Sequence, residues 1–227
     1  YNFKRDIKIG LPLIFIFLTQ SLVSSSDRYI ILHFLSSDHV GEYSVSYSIG
    51  SLILFIPMII GVVLQPLLAK IQDSNQSQLK NDFMLITLKS FLLLCIPFIF
   101  GSLALGSEIY NIFAGDSNNP NNVYIITILA LSALFNGLIL IYNELLFVDL
   151  KTLKMFKIVV ITVLINISSN LVLFNINADI LYASISSFIA FSIGFLYVRG
   201  KVSVKVSNKK FLKFILKITF LSIMVYL

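Results

Sequence analysis

Seven long apolar stretches dominate this sequence and restrict what the chain can fold into. Each is longer than a typical strand and lacks the apolar–polar alternation of a half-buried strand. A helix that crosses a bilayer needs about 20 apolar residues, fewer than most of these stretches provide. The stretches are Leu11–Leu35, Tyr43–Ala69, Phe83–Leu105, Val123–Val148, Phe156–Phe174, Ile180–Val198 and Phe211–Leu227. The pattern predicts an all-α polytopic membrane helix bundle with six full transmembrane helices and a truncated seventh.

The composition excludes an ordinary soluble domain. Hydrophobic residues make up 57% of the 227-residue chain and charged residues only 12%, whereas soluble domains carry about 25% charged residues. The formal net charge of +6 would suit either nucleic acid or an anionic membrane surface. Because the chain is so apolar, we expect the lipid bilayer as its partner and no nucleic acid.

The basic residues predict the orientation of the bundle. All of the 17 lysines and arginines except Arg28 lie before the first stretch or near the second, fourth and sixth connections. Cytoplasmic connections are enriched in lysine and arginine. We therefore expect the N-terminal end and the even-numbered connections to face the cytoplasm.

The sequence divides into two parts. Residues 1–198 are expected to form a six-helix transmembrane lobe, and residues 199–227 a basic cytoplasmic linker followed by a truncated further helix. The chain begins at Tyr1 and ends inside an apolar stretch. We interpret it as a fragment of a longer membrane protein.

The first stretch contains a polar patch at mid-to-outer depth. At 100° per residue, Gln20, Ser21, Ser24, Asp27 and Arg28 share about a third of the helix circumference. Charged side chains inside a bilayer usually face a cavity or a partner. Arg28 is therefore a candidate for contacting an anion in a transport cavity. The alternatives are a structural ion pair with another helix and snorkelling to the headgroups.

The second stretch begins with two tyrosines on one helical face. Tyr43 and Tyr47 fit either an interfacial anchor or the wall of a cavity. Pro57 and Pro66 lie further along the same stretch. Proline removes a backbone donor, so we expect this helix to be kinked.

The fifth stretch has its polar residues on one face. Thr162, Asn166, Ser169 and Asn170 follow helical spacing. Buried amides in membranes usually hold helices together. We therefore expect Asn166 and Asn170 to face protein and not lipid.

Catalytic and metal-binding motifs are not evident in the sequence. Its only histidines, His33 and His39, lack a spaced third metal ligand, and Cys95 is its only cysteine. It contains none of the nucleophile-elbow, phosphate-loop or dinucleotide motifs. We expect no metal, no cofactor and no enzymatic activity.

The segment around Arg28 resembles bacterial polysaccharide flippases, which export O-antigen and capsule repeat units. They belong to the multidrug/oligosaccharidyl-lipid/polysaccharide exporter superfamily. The residues that carry this resemblance are Gly10-Leu11-Pro12, Ser24-Ser25-Ser26-Asp27-Arg28-Tyr29-Ile30-Ile31, Phe34, Val40-Gly41-Glu42-Tyr43-Ser44 and Tyr47. The run from Asn166 to Phe174 is similar to a later helix of the same half. The chain thus resembles the C-terminal half of such a protein.

The resemblance implies a two-lobe transporter of the inner membrane that acts in polysaccharide biosynthesis. It would carry an undecaprenyl-pyrophosphate-linked oligosaccharide, as in lipopolysaccharide assembly, to the outer leaflet by alternating access. Its missing partner would be the N-terminal lobe of the same protein. Arg28 would contact the pyrophosphate, and Gln20, Ser24 and Tyr47 would line the cavity. Asp27 would orient Arg28 or, as a second choice, take part in cation coupling.

Two other functions fit the sequence. One is a multidrug or lipid exporter of the same superfamily. The other is an integral-membrane glycan polymerase or transferase. Such an enzyme would be expected to have large outer loops rich in arginine, histidine and aspartate.

Overall fold

A computed structural model describes residues 3–73, 76–115, 121–202 and 208–226, and their regular secondary structure is entirely helical. The elements are α1 (Phe3–Phe34), α2 (Ser37–Gly50), a short 3₁₀ helix (Leu52–Leu54), α3 (Phe55–Asp73), α4 (Ser77–Ala114), α5 (Asn122–Val148), α6 (Thr152–Ile176), α7 (Ile180–Arg199) and α8 (Asn208–Tyr226). The prediction of an all-α bundle is confirmed.

Six helical segments in the described part of the chain are long and apolar enough to cross a membrane. They are Ile7–Phe34, Leu52–Gln72, Gln78–Ala114, Asn122–Val148, Thr152–Ile176 and Ile180–Arg199. The predicted number of full spans is therefore confirmed. Helix α8 corresponds to the predicted truncated helix and packs against α4.

Helix α5 lies at the centre of the bundle. It packs against α2, α3, α4 and α7, while α1 packs on α6 and α6 on α7. The main core forms where α4 meets α5, and Phe91, Cys95 and Ile141 are fully or almost fully buried there. Because α5 contacts so many helices, it positions α2 relative to the rest of the bundle.

Two glycines allow helices to approach α5 closely. A Cβ atom on Gly50 of α2 would lie 2.7 Å from the Leu129 Cβ atom and 2.9 Å from the Ile126 carbonyl oxygen. A Cβ atom on Gly137 of α5 would overlap the ring of Phe91. A larger side chain at either position would force the helices apart.

The second apolar stretch does not form one kinked helix, so the prediction of a single kinked helix there is wrong. The chain forms α2, leaves α-helical geometry at Ser51, passes through the 3₁₀ helix and resumes as α3. The break lies one turn before Pro57, which has no N–H to donate to the Ile53 carbonyl and whose ring would clash there. Pro57 therefore sits in the first turn of α3, where its missing donor is tolerated.

Helices α1 and α4 extend well past the boundaries expected from hydropathy. Their 32 and 38 residues correspond to lengths of about 48 and 57 Å, against about 30 Å of hydrocarbon. Helix α4 continues through Gly106 to Ala114, beyond Leu105, where the third apolar stretch ends. Hydropathy locates the apolar part of a helix and not its polar ends.

An ion-pair cluster closes the bundle at one end, here called the basic side. Asp149 lies 2.9 Å from the Lys80 Nζ atom and 2.6 Å from the Lys151 Nζ atom. Partial burial raises the pKa of Asp149, but the hydrogen bonds and charges of the two lysines outweigh it and hold that pKa below its usual value. The cluster joins α4 to the turn between α5 and α6.

Candidate functional site

The carboxylate of Asp27 lies inside the bundle among three hydrogen-bond donors. Its side chain projects from α1 and is only 2% exposed. The Tyr43 hydroxyl on α2 donates to it at 2.8 Å, the Asn170 amide on α6 at 2.8 Å, and the Ser187 hydroxyl on α7 at 2.9 Å. Asp27 thus connects α1 to three other helices.

A second layer of hydrogen bonds extends this network. The Ser26 hydroxyl donates to the Asn166 carbonyl at 3.0 Å, and the Asn166 amide donates to the Ser187 hydroxyl at 3.2 Å. Asn166 and Asn170 are both fully buried. The prediction that these two asparagines face protein is confirmed.

Arg28 points in a different direction from its neighbour Asp27. Its Nε atom donates a 2.9 Å hydrogen bond to the Ser44 hydroxyl on α2. Its guanidinium carbon lies 5.0 Å from the centre of the Tyr47 ring, within the range of a cation–π interaction. Arg28, Ser44 and Tyr47 are all half-buried, so this group remains partly accessible from outside the bundle.

The two tyrosines of α2 connect the buried network to the Arg28 group. The rings of Tyr43 and Tyr47 lie 6.1 Å apart, one helical turn from each other. Tyr43 is fully buried against Asp27, whereas Tyr47 is half-buried beside Arg28. Tyr43 is therefore part of the packing, and Tyr47 forms a wall next to a charged group.

The structure brings together some of the predicted site residues but not all of them. Gln20 is exposed on α1 and lies about two turns, or roughly 12 Å, from Arg28 along the helix axis. The side chain of Ser24 lies outside the described side chains. The shared polar face of α1 therefore divides into buried Asp27, half-buried Arg28 and exposed Gln20.

Sequence reasoning missed Ser26, Ser44 and Ser187. These serines complete the contacts of Asn166, Arg28 and Asp27. Serine is common in membrane helices, so its presence alone carries little signal. Only the pairing of α1 with α2, α6 and α7, which hydropathy does not reveal, identifies these three serines.

The exposed face of α1 is broad and apolar. Phe17 is 72% exposed and Tyr29 71% exposed, although α1 is one of the candidate spans. Gln20, about one turn from Phe17, is exposed as well. This face can accept either lipid or another transmembrane unit.

The described residues contain no group of three or more histidine, cysteine, aspartate or glutamate side chains that could hold a metal ion. In the first turn of α2, the ring of His39 hydrogen-bonds to Ser36 at 2.7 Å. The two charged residues of the polar patch on α1 instead form the Asp27 network and the Arg28 group.

Comparison with known proteins places these features in a family. Residues 1–118, more than half of the chain, match the family described as polysaccharide biosynthesis protein. The match covers α1 to α4 and so includes Asp27, Arg28 and Tyr47. No curated protein and no solved structure matches the chain. The chain belongs to the polysaccharide biosynthesis protein family and is a multi-pass membrane protein.

Proposed function

We propose that this chain is the C-terminal lobe of a flippase that moves an undecaprenyl-pyrophosphate-linked oligosaccharide across the bacterial inner membrane. The observation that carries the proposal is Arg28, a half-buried cation held against Ser44 and Tyr47 within a candidate span. An arginine costs about 2.5–3.5 kcal/mol at the centre of a bilayer and less towards the headgroups. A cost of this size is usual where the cation serves a ligand or a partner.

The chemistry of the substrate fits this cation. A pyrophosphate carries several negative charges and must exchange its water for other donors when it enters a membrane cavity. Arginine presents a planar fork of donors to phosphate oxygens. Tyr47 and Ser44 hold the guanidinium from the α2 side, which limits its freedom before the substrate arrives.

For Asp27 we propose a positioning role in preference to cation coupling. Its two oxygens accept hydrogen bonds from Tyr43, Asn170 and Ser187, and its exposure is 2%. A bulky lipid-linked sugar cannot reach a group buried to this extent. Asp27 fixes α2 relative to α1, and α2 in turn presents Ser44 and Tyr47 to Arg28.

The remainder of the transporter follows from this assignment. The exposed part of α1 around Phe17 and Gln20 would meet the N-terminal lobe of the same protein across the transport cavity. Ser24 would lie along the same helix between Gln20 and Arg28. The basic side would face the cytoplasm, and the lobe would transport its substrate by alternating access without covalent chemistry.

An exporter of drugs or other lipids and a membrane glycan polymerase remain the competing functions. Membership of a polysaccharide biosynthesis family favours a glycan substrate over a drug. A reconstitution experiment separates transport from polymerisation. The full-length protein is placed in liposomes with a short-chain polyprenyl-pyrophosphate oligosaccharide on one face, and an impermeant glycosidase is added on that face.

A flippase would protect the sugar from the glycosidase with time while leaving its mass unchanged. A polymerase or transferase would change the mass of the lipid-linked sugar, which mass spectrometry measures. A sugar that stays accessible to the glycosidase, with or without a change in its mass, would contradict the proposed function. A protein-free liposome provides the control for spontaneous exchange.

A further inference from the structure

A cavity lies between α8 and the centre of the bundle, and Arg28 is not among its lining residues. Its volume is about 530 Å³, within the range of about 300–1,000 Å³ that is typical of ligand pockets. The walls come from α4, α5, α7 and α8 and are mostly apolar. They include Leu92 and Ile96 of α4, Leu134 and Phe135 of α5, and Ile215 of α8.

The cavity has the length of a lipid chain within one leaflet. Along α4 its lining runs from Leu88 to Phe100, a rise of about 18 Å. One leaflet contributes about half of the 30 Å hydrocarbon core. An apolar cavity of this kind does not hold water well, so within a bilayer an acyl chain is its natural content.

Positive charge is concentrated at one end of the cavity. Among the described residues that line the cavity, Arg199, the last residue of α7, is the only one with a charged side chain. Lys89, next to the lining residue Leu88, places its Nζ atom 5.7 Å from the centre of the Phe214 ring on α8. Neither cation forms an ion pair with a carboxylate in the described part of the chain.

We propose that this cavity binds one anionic glycerophospholipid from the leaflet on the basic side. An acyl chain would lie between α4, α5 and α8, and the headgroup phosphate would lie between Arg199 and Lys89. Basic pockets between transmembrane helices are known to bind anionic headgroups in this way. The proposal uses none of the residues assigned to the transport site, so the two can be tested separately.

Photo-crosslinking tests this proposal on the full-length protein in lipid nanodiscs. Phosphatidylglycerol and phosphatidylcholine probes, each with a diazirine in one acyl chain, are compared at equal mole fraction. Peptide mass spectrometry then locates the adducts. We expect the phosphatidylglycerol probe to label residues of the cavity wall in preference to the phosphatidylcholine probe.

Two kinds of variant test whether the cations and the apolar cavity are responsible for the preference for phosphatidylglycerol. Removing the charges in Arg199→Gln and Lys89→Gln should reduce labelling by phosphatidylglycerol about fivefold for each side chain. Lys154→Gln with Lys157→Gln removes the same charge from exposed positions on α6 and should leave the labelling unchanged. Leu134→Trp keeps both cations but fills part of the cavity, and it should also reduce the labelling.

Four results would overturn the proposal. Equal labelling of the wall by both probes would mean unselective filling by bulk lipid. Equal loss in the α6 control pair would mean that only the general surface charge matters. Displacement of phosphatidylglycerol by a polyprenyl-pyrophosphate would assign the cavity to that lipid. Absence of labelling because another segment of the full-length protein covers the cavity wall would assign the cavity to that segment.

Discussion

The Tyr43 hydroxyl on α2 donates a 2.8 Å hydrogen bond to the Asp27 carboxylate on α1, across a connection formed by residues 35 and 36. This bond fixes the rotation of α2 about its own axis. Ser44 follows Tyr43 directly, and Tyr47 lies one turn further on, so the same rotation turns both towards Arg28. Buried Asp27 therefore determines which side chains of α2 surround half-buried Arg28.

Tyr43→Phe should destabilise the protein while leaving its helices in place. The change removes one donor from a carboxylate that is 2% exposed, and hydrogen bonds between membrane helices contribute about 0.6 kcal/mol on average and about 1.7 kcal/mol at most. Thermal unfolding in detergent, followed by circular dichroism, measures the effect. Tyr124→Phe is the matched control, because Tyr124 is 57% exposed and should tolerate the change. Equal stability of the two variants would show that the bond does not matter.

Asn170→Ala should also lower stability, by leaving one Asp27 oxygen without its 2.8 Å donor. Hydrogen bonds between membrane helices average only about 0.6 kcal/mol, so we expect a decrease nearer to this value than to several kcal/mol. Asn175→Ala, at an exposed position on the same helix, serves as the control. A large loss of membrane abundance for Asn170→Ala would mean that Asp27 depends on this one donor.

One substitution in the turn between α5 and α6, at the basic side, should stabilise the protein. Leu150 adopts a positive φ of 56°, which costs an L-residue with a side chain roughly 1–2 kcal/mol. Its side chain is 50% exposed, so removing it should sacrifice little packing. Leu150→Gly should raise the unfolding temperature, whereas Leu153→Gly, inside α6, should lower it. A lower unfolding temperature for Leu150→Gly would contradict the backbone argument.

The apolar stretches were sufficient to predict the number of full transmembrane spans, because each span requires about 20 apolar residues. The spacing of Asn166 and Asn170 was likewise sufficient to predict which face of α6 is buried. The break at Ser51 was not predictable from hydropathy, since both sides of it are apolar. The separation of Asp27 from Arg28 depends on where α2, α6 and α7 lie, and a helical wheel of one helix cannot include these neighbours.

The orientation of the lobe can be tested by labelling single cysteines in intact cells. In a Cys95→Ser background, Ser37→Cys and Ala178→Cys should react with an impermeant maleimide from outside. Gln78→Cys and Lys154→Cys should react only after the cells are opened. All four positions are exposed, whereas Thr152 is 2% exposed and would be a poor site. Labelling of position 78 or 154 in sealed cells would contradict the proposed orientation.

The central claim, that Arg28 serves the anionic substrate, is tested most directly by measuring glycan export and membrane abundance together in Arg28 variants. Arg28→Ala should abolish export while the protein still accumulates, and Arg28→Lys should retain partial export because it keeps the charge but loses the planar fork. Lys157→Ala, which removes an exposed cation elsewhere, should export normally. If Arg28 instead formed a buried structural pair, Arg28→Ala would lower abundance together with export, because breaking such a pair costs about 3–5 kcal/mol. Normal export by an abundant Arg28→Ala variant would contradict the claim.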